Sequence, residues 1–187
     1  LQHHLQVARE TGSRIDEVIA SLNLAELDAH RGHTVPAAEG FSAVLAMARR
    51  IRHRRAEAYA LLSWGGLDAA AERREAAAAR FDEAIAIGTK YGIVGVEMLA
   101  RARRAGFAGG ALDEARACLE EHTARADALD RLRTNYWLWS AGGGDAYLAE
   151  ARRLLDHLAL HAPLEDRESM VERVPLYRAI RDGEPLV

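Results

Sequence analysis

His157 and His161 stand four residues apart in RRLLDHLALH, with Asp156 beside them. On a helix that spacing sets two imidazoles on one face, within reach of a single metal ion. A zinc site needs a third protein ligand, and neither an H-E-x-x-H motif nor a third donor at a fixed distance follows. Solvent-facing or helix-end histidines are therefore the expectation, and His3, His4, His30, His33, His53 and His122 are scattered. Cys118 is the one cysteine, so no internal disulfide forms and a reducing, cytoplasmic setting is expected. It shares a helical face with Ala115 and Leu119, which predicts a buried small apolar group with no cue for a lowered thiol pKa. No G-x-S-x-G, G-x-x-x-x-G-K-[ST] or G-x-G-x-x-G occurs. AGGGDAY, residues 141–147, is glycine-rich but reads as a turn between helices, without the strand a nucleotide fold requires. Pairs such as Glu120–Glu121 and Asp127–Asp130 read as solvated helix faces. These residues predict no catalytic group, no metal and no cofactor.

Two basic clusters offer binding instead. ARRIRHRRAE carries Arg49, Arg50, Arg52, His53, Arg54 and Arg55, and Arg101, Arg103 and Arg104 form the second. A basic edge suits phosphate, nucleic acid or an acidic peptide. With a net charge of −3 and no interleaved aromatics, the expectation is helix-end cations meeting the C-terminal dipole and nearby carboxylates. NYWLW concentrates Tyr136, Trp137 and Trp139. Residues two apart on a helix point to different sides, so one tryptophan is expected in the core, with Trp137 preferred, and the other against a neighbour or partner.

The elements that must carry these residues are helices. Hydrophobic residues make up 49% and charged residues 28% of the 187, and the long runs of Ala, Leu, Glu and Arg favour helix. No stretch approaches the ~18 uninterrupted apolar residues of a membrane span. Ile15, Val18, Ile19 and Leu22 follow the i, i+3, i+4, i+7 pattern, and Gly32 ends that helix. Thr34, followed by Pro36, is expected to cap a second helix whose face carries Phe41, Val44, Leu45, Ala48 and Ile51. The pattern then recurs: Ala25 as Gly65, Ala37 as Ala77, Phe41 as Phe81 and Val44 as Ala84, each pair forty apart. Where two antiparallel helices cross closely, only a small side chain fits at the contact, and a ring one turn away fills the adjoining space.

This pattern resembles the tetratricopeptide repeat. Residues 14–54 match it at Leu24, Ala25, Gly32, Ala37 and Phe41; residues 55–93 match at Trp64, Gly65, Ala77, Phe81 and Ala84, with Glu72 in place of the turn glycine. Two weaker units follow. Residues 94–124 offer Gly110, Ala115 and Leu119, and residues 125–162 offer Gly144, Ala151 and Leu155. Residues 1–13 read as the second helix of a partial leading unit, so that 1–162 form the array. Residues 163–187 supply a capping helix, kinked or ended by Pro175, and a tail. The start on Leu1, already within helical periodicity, leads us to expect a piece of a longer chain.

The resemblance implies an all-α fold, a right-handed superhelix of antiparallel helix pairs, whose concave face is lined by the first helix of each pair. By that resemblance the lining falls at Asn23, Glu26 and His30 with Ile19 and Leu22, then at Tyr59 and Ser63 with Leu62 and Gly66, then at Glu97, Arg101 and Arg104. Asn23 takes the place of an asparagine that holds a ligand's backbone. His30 and Ala70 stand where a carboxylate clamp would need lysines, which argues against an acidic C-terminal tail as ligand. RESMVERVPLYRAI is similar to the C-terminal repeat region of large bacterial signalling proteins, where an effector and an ATPase module precede the array. The implied function is a non-catalytic protein- or peptide-binding scaffold, a docking or sensor arm in the cytoplasm. The alternative is a receptor for small peptides or anionic metabolites, gripped by Arg101 and Arg104, with nucleic acid a third and weaker candidate. The exposed N-terminal repeat face offers a surface for pairing with a second copy.

Overall fold

The computed structural model describes residues 1–107 and 111–186; Gly110, expected at a turn, lies outside them. Among the described residues the chain is all-helical, with eleven α-helices and no strand. They are α1 (Gln2–Glu10), α2 (Arg14–His30), α3 (Thr34–Arg50), α4 (Arg54–Ala70), α5 (Arg74–Tyr91), α6 (Val94–Ala105), α7 (Ala111–His122), α8 (Ala128–Ser140), α9 (Asp145–His161), α10 (Arg167–Arg173) and α11 (Pro175–Asp182). No helix among the described residues is long and apolar enough to cross a membrane. Two compact units are present, Leu1–Val96 and Glu97–Val187.

In the first unit α1 packs on α2, α2 on α3, α3 on α4 and α4 on α5, and α2 also meets α4. One turn geometry makes every connection. Gly12, Gly32, Arg52, Glu72 and Gly92 all adopt left-handed backbone, with φ of 71°, 76°, 56°, 56° and 65°. The residue after each returns a hydrogen bond into the preceding helix: Ser13 to Ala8, His33 to Asp28, His53 to Ala48, Arg73 to Asp68 and Ile93 to Gly88, all at 2.9–3.0 Å. These are Schellman-type closures, which satisfy helix-end carbonyls that otherwise lack partners. The backbone therefore repeats every twenty residues. Arg52 and Glu72 sit where glycine is favoured, at a steric cost of roughly 1–2 kcal/mol each.

The side chains repeat every forty. Positions 37–50 and 77–90 carry the same burial class residue by residue, with Ala37, Phe41, Val44 and Ala48 answered by Ala77, Phe81, Ala84 and Gly88. Phe41 and Phe81 are both 0% exposed. Gly65 lies so close to the Phe81 ring that a Cβ there would stand 2.7 Å from Cε1. On α2 the buried face is Val18, Leu22 and Ala25, whereas Ile15 and Ile19 are 51% and 42% exposed. The expected stripe is thus rotated, because α3 and α4 take the 18–22–25 side. With Val7 and Val35 also exposed, α1–α3 carry an open apolar surface. Thr34 does not cap α3: it opens the helix, and His33 occupies the capping position without a side-chain bond.

In the second unit α8 packs on α9, and α10 and α11 both pack on α9. Leu132 and Tyr136 of α8 meet Leu148, Ala151, Leu154 and Leu155 of α9 and Ala179 and Ile180 of α11 in one core. Tyr136, not Trp137, is the fully buried ring. Trp137 and Trp139 are half-buried beside it, and Arg103 lies over the Trp137 ring at 4.6 Å. The Tyr136 hydroxyl donates to the Glu184 carbonyl and accepts from the Leu186 amide, which ties the tail to α8. Pro175 does not kink one helix. It opens α11 after α10 has ended at Arg173.

Candidate functional site

Of the residues expected to line a binding face, four stand on two adjoining helices. Asn23 and Glu26 project from α2 and Tyr59 and Ser63 from α4, all half-buried. Ser63 Oγ donates to Glu26 Oε1 at 2.7 Å, and the Arg55 guanidinium lies 5.6 Å from the Tyr59 ring centre. His30, at the end of α2, is exposed. Leu22 and Leu62 are buried and serve packing. All ten residues expected at helix contacts, Ala25, Ala37, Phe41, Gly65, Ala77, Phe81, Ala115, Leu119, Ala151 and Leu155, are buried.

The basic cluster at 49–55 is largely engaged. Arg49 Nε and Arg54 Nη1 donate to the two oxygens of buried Glu57 at 3.0 and 2.6 Å, and Arg49 also meets Glu83. Those hydrogen bonds, Glu57's first, hold both guanidinium pKa values above the ordinary range. Arg49–Glu57 is itself a repeat of Arg9–Glu17, where Nε meets Oε1 at 3.1 Å across the α1–α2 turn, forty residues earlier. At the third such position the cation is absent: Thr89 stands where Arg9 and Arg49 stood.

Glu97, the third carboxylate of that series, has a different environment in the second unit. It is 7% exposed, so it does not line an open face. Arg101 donates to its Oε1 through Nη2 at 3.1 Å, and Arg101 Nη1 lies 3.7 Å from Glu114. On the other side His122 Nε2 lies 3.7 Å from Glu97 Oε2. Cys118 completes the group: one donor atom each from Glu97, Cys118 and His122 lie within 4.8 Å of one another, all three residues buried. His122 Nδ1 is buried with no hydrogen-bond partner. Arg104, one turn further along α6, is half-buried.

A cysteine, a histidine and a carboxylate together could be nucleophile, base and orienting group. Here burial, reinforced by Glu97, pushes the Cys118 thiol up to about 11, opposite to the lowered pKa that activates a nucleophilic cysteine. Cys118 was expected as a small buried apolar group, and buried it is; its polar company was not foreseen. His122, expected only as one of the scattered histidines, joins this group. The available signal was its spacing from Cys118, four residues along one helix in CLEEH. His157 and His161, by contrast, are exposed, and His161 Nδ1 donates to the His157 carbonyl at 2.7 Å. No third donor joins them among the described residues. No family model matches the sequence, and no curated protein matches it.

Proposed function

We propose that the chain is a non-catalytic interaction module of the tetratricopeptide type, a right-handed superhelix of helix pairs that binds an extended peptide segment of a protein partner. The observation that carries this reading is the matched burial of 37–50 and 77–90, which leaves α2 and α4 as adjoining first helices bearing Asn23, Glu26, Tyr59 and Ser63. Helix pairs that bury one face in each other and repeat the arrangement present a continuous surface of first helices. On that surface Asn23 and the Glu26–Ser63 pair supply polar contacts to a peptide backbone, and Tyr59 supplies a flat apolar anchor. The setting we assign is the cytoplasm, as a docking arm of a multidomain bacterial signalling protein. The resemblance of residues 167–180 to such arrays supports that assignment. An anionic-metabolite receptor is less well supported, because Arg101 already gives its donors to Glu97 and Glu114.

Selection of peptides from a random display library against the whole chain, followed by fluorescence anisotropy, tests the reading. A selected peptide should lose about tenfold or more in affinity with Asn23→Ala or Tyr59→Ala, and nothing with Arg153→Ala on α9. Failure to enrich any peptide, or affinity indifferent to both α2 and α4 variants, would contradict it.

A further inference from the structure

We propose that Glu97, Cys118 and His122 form a binding site for one zinc-like divalent transition-metal ion, which joins α6 to α7. The first argument is positional. In the register that aligns Ala115 with Ala77 and Leu119 with Phe81, His122 takes the place of Ala84 and Val44, both 0% exposed and apolar. A histidine at a packing position brings a buried Nδ1 that finds no partner. Burying an imidazole at an apolar packing position is costly unless its nitrogens take partners, and Nε2, 3.7 Å from Glu97 Oε2, is the nitrogen that faces the group. Cys118, in the same register, takes the place of Arg80 and Gly40 and points a sulfur into the same space.

The second argument is geometric. Zinc ligands lie 2.0–2.3 Å from the ion, so donor atoms in a tetrahedral sphere stand about 3.3–3.8 Å from one another. His122 Nε2 and Glu97 Oε2 are already 3.7 Å apart, and the full set lies within 4.8 Å, a spread that side-chain rotation closes. Sulfur, imidazole and carboxylate together suit a borderline-soft ion such as zinc or cobalt rather than calcium or magnesium. Arg101 holds Glu97 Oε1 and thereby leaves Oε2 turned to His122, the role of an outer partner that orients a ligand.

The third argument is charge. The bound site would contain a carboxylate, a thiolate and a neutral imidazole around the dication, with the Arg101 guanidinium beside both Glu97 and Cys118. Binding requires the Cys118 proton to leave to solvent, since the thiolate is the ligand. Three protein donors leave a fourth position for water or for a donor from a partner.

Titration of the reduced whole chain with cobalt(II), followed by zinc(II), tests the site by absorption. Because Cys118 is the only cysteine, any thiolate-to-cobalt charge-transfer band reports this residue alone. We expect that band to saturate at one equivalent and to disappear when zinc displaces cobalt. Cys118→Ser, with helicity checked by circular dichroism, should abolish it. His122→Gln should weaken cobalt binding by more than the roughly 10–100-fold typical of losing an outer-sphere residue. His157→Gln with His161→Gln should leave the band unchanged. A wild-type chain that shows no charge-transfer band at saturating cobalt overturns the proposal, as does metal binding that survives Cys118→Ser and vanishes with the His157 and His161 pair.

Discussion

Helices α3 and α5 bury the same positions in the same order, whereas α7 keeps the order and changes the chemistry. Ala77, Phe81 and Ala84 of α5 become Ala115, Leu119 and His122 of α7, and Arg80 becomes Cys118. The carboxylates differ in parallel. Glu17 and Glu57 each meet an arginine eight residues earlier, while Glu97 meets Arg101 and His122. At the third copy Thr89 replaces the arginine in the sequence, and the carboxylate takes its ion pair from Arg101 instead. The regular copies spend these positions on stability; the irregular one spends them on a polar group that packing alone does not explain.

The comparison can be broken most severely at the ring. Phe81→Ala should cost about 3–5 kcal/mol in a urea series, because the void beside Gly65 has no side chain to fill it. Gly65→Ala comes next. A Cβ 2.7 Å from the Phe81 ring forces the helices apart, at about 1–3 kcal/mol by the same measurement. His122→Val, which restores the residue type of Val44, should stabilise the metal-free chain by about 1 kcal/mol by removing an unsatisfied buried nitrogen, while abolishing the cobalt band. Glu72→Gly should stabilise by roughly 0.5–1 kcal/mol, read as a higher thermal midpoint, because glycine takes the left-handed turn without strain.

Much of this architecture is legible in the amino-acid sequence. The forty-residue period is visible because Ala37 with Phe41 and Ala77 with Phe81 restate one small-then-large contact in the same letters. The twenty-residue period of the turns is hidden, because Arg52 and Glu72 adopt the conformation that glycine marks at 12, 32 and 92. The rotation of α2 was also beyond periodicity. Ile15 and Ile19 fit a helical stripe as well as Val18 and Leu22 do, and only the placement of α3 and α4 decides which side is covered. Around Tyr136, three aromatics within four residues left the choice of core ring to the helices packed on α8. The Glu97–Cys118–His122 group needs two helices to meet, so its members look unremarkable along the chain; only the four-residue step from Cys118 to His122 was there to be read.

The central claim is that the packing of α3 recurs in α5. Fluorine-labelled phenylalanine tests it directly, since the chain has three phenylalanines, Phe41, Phe81 and Phe107. The fluorine resonances of Phe41 and Phe81 should be unmoved on exchanging light for heavy water, because both rings are fully buried, while half-buried Phe107 shifts. A solvent-sensitive signal from either Phe41 or Phe81 would mean that the two rings occupy different environments, and the recurrence would fail.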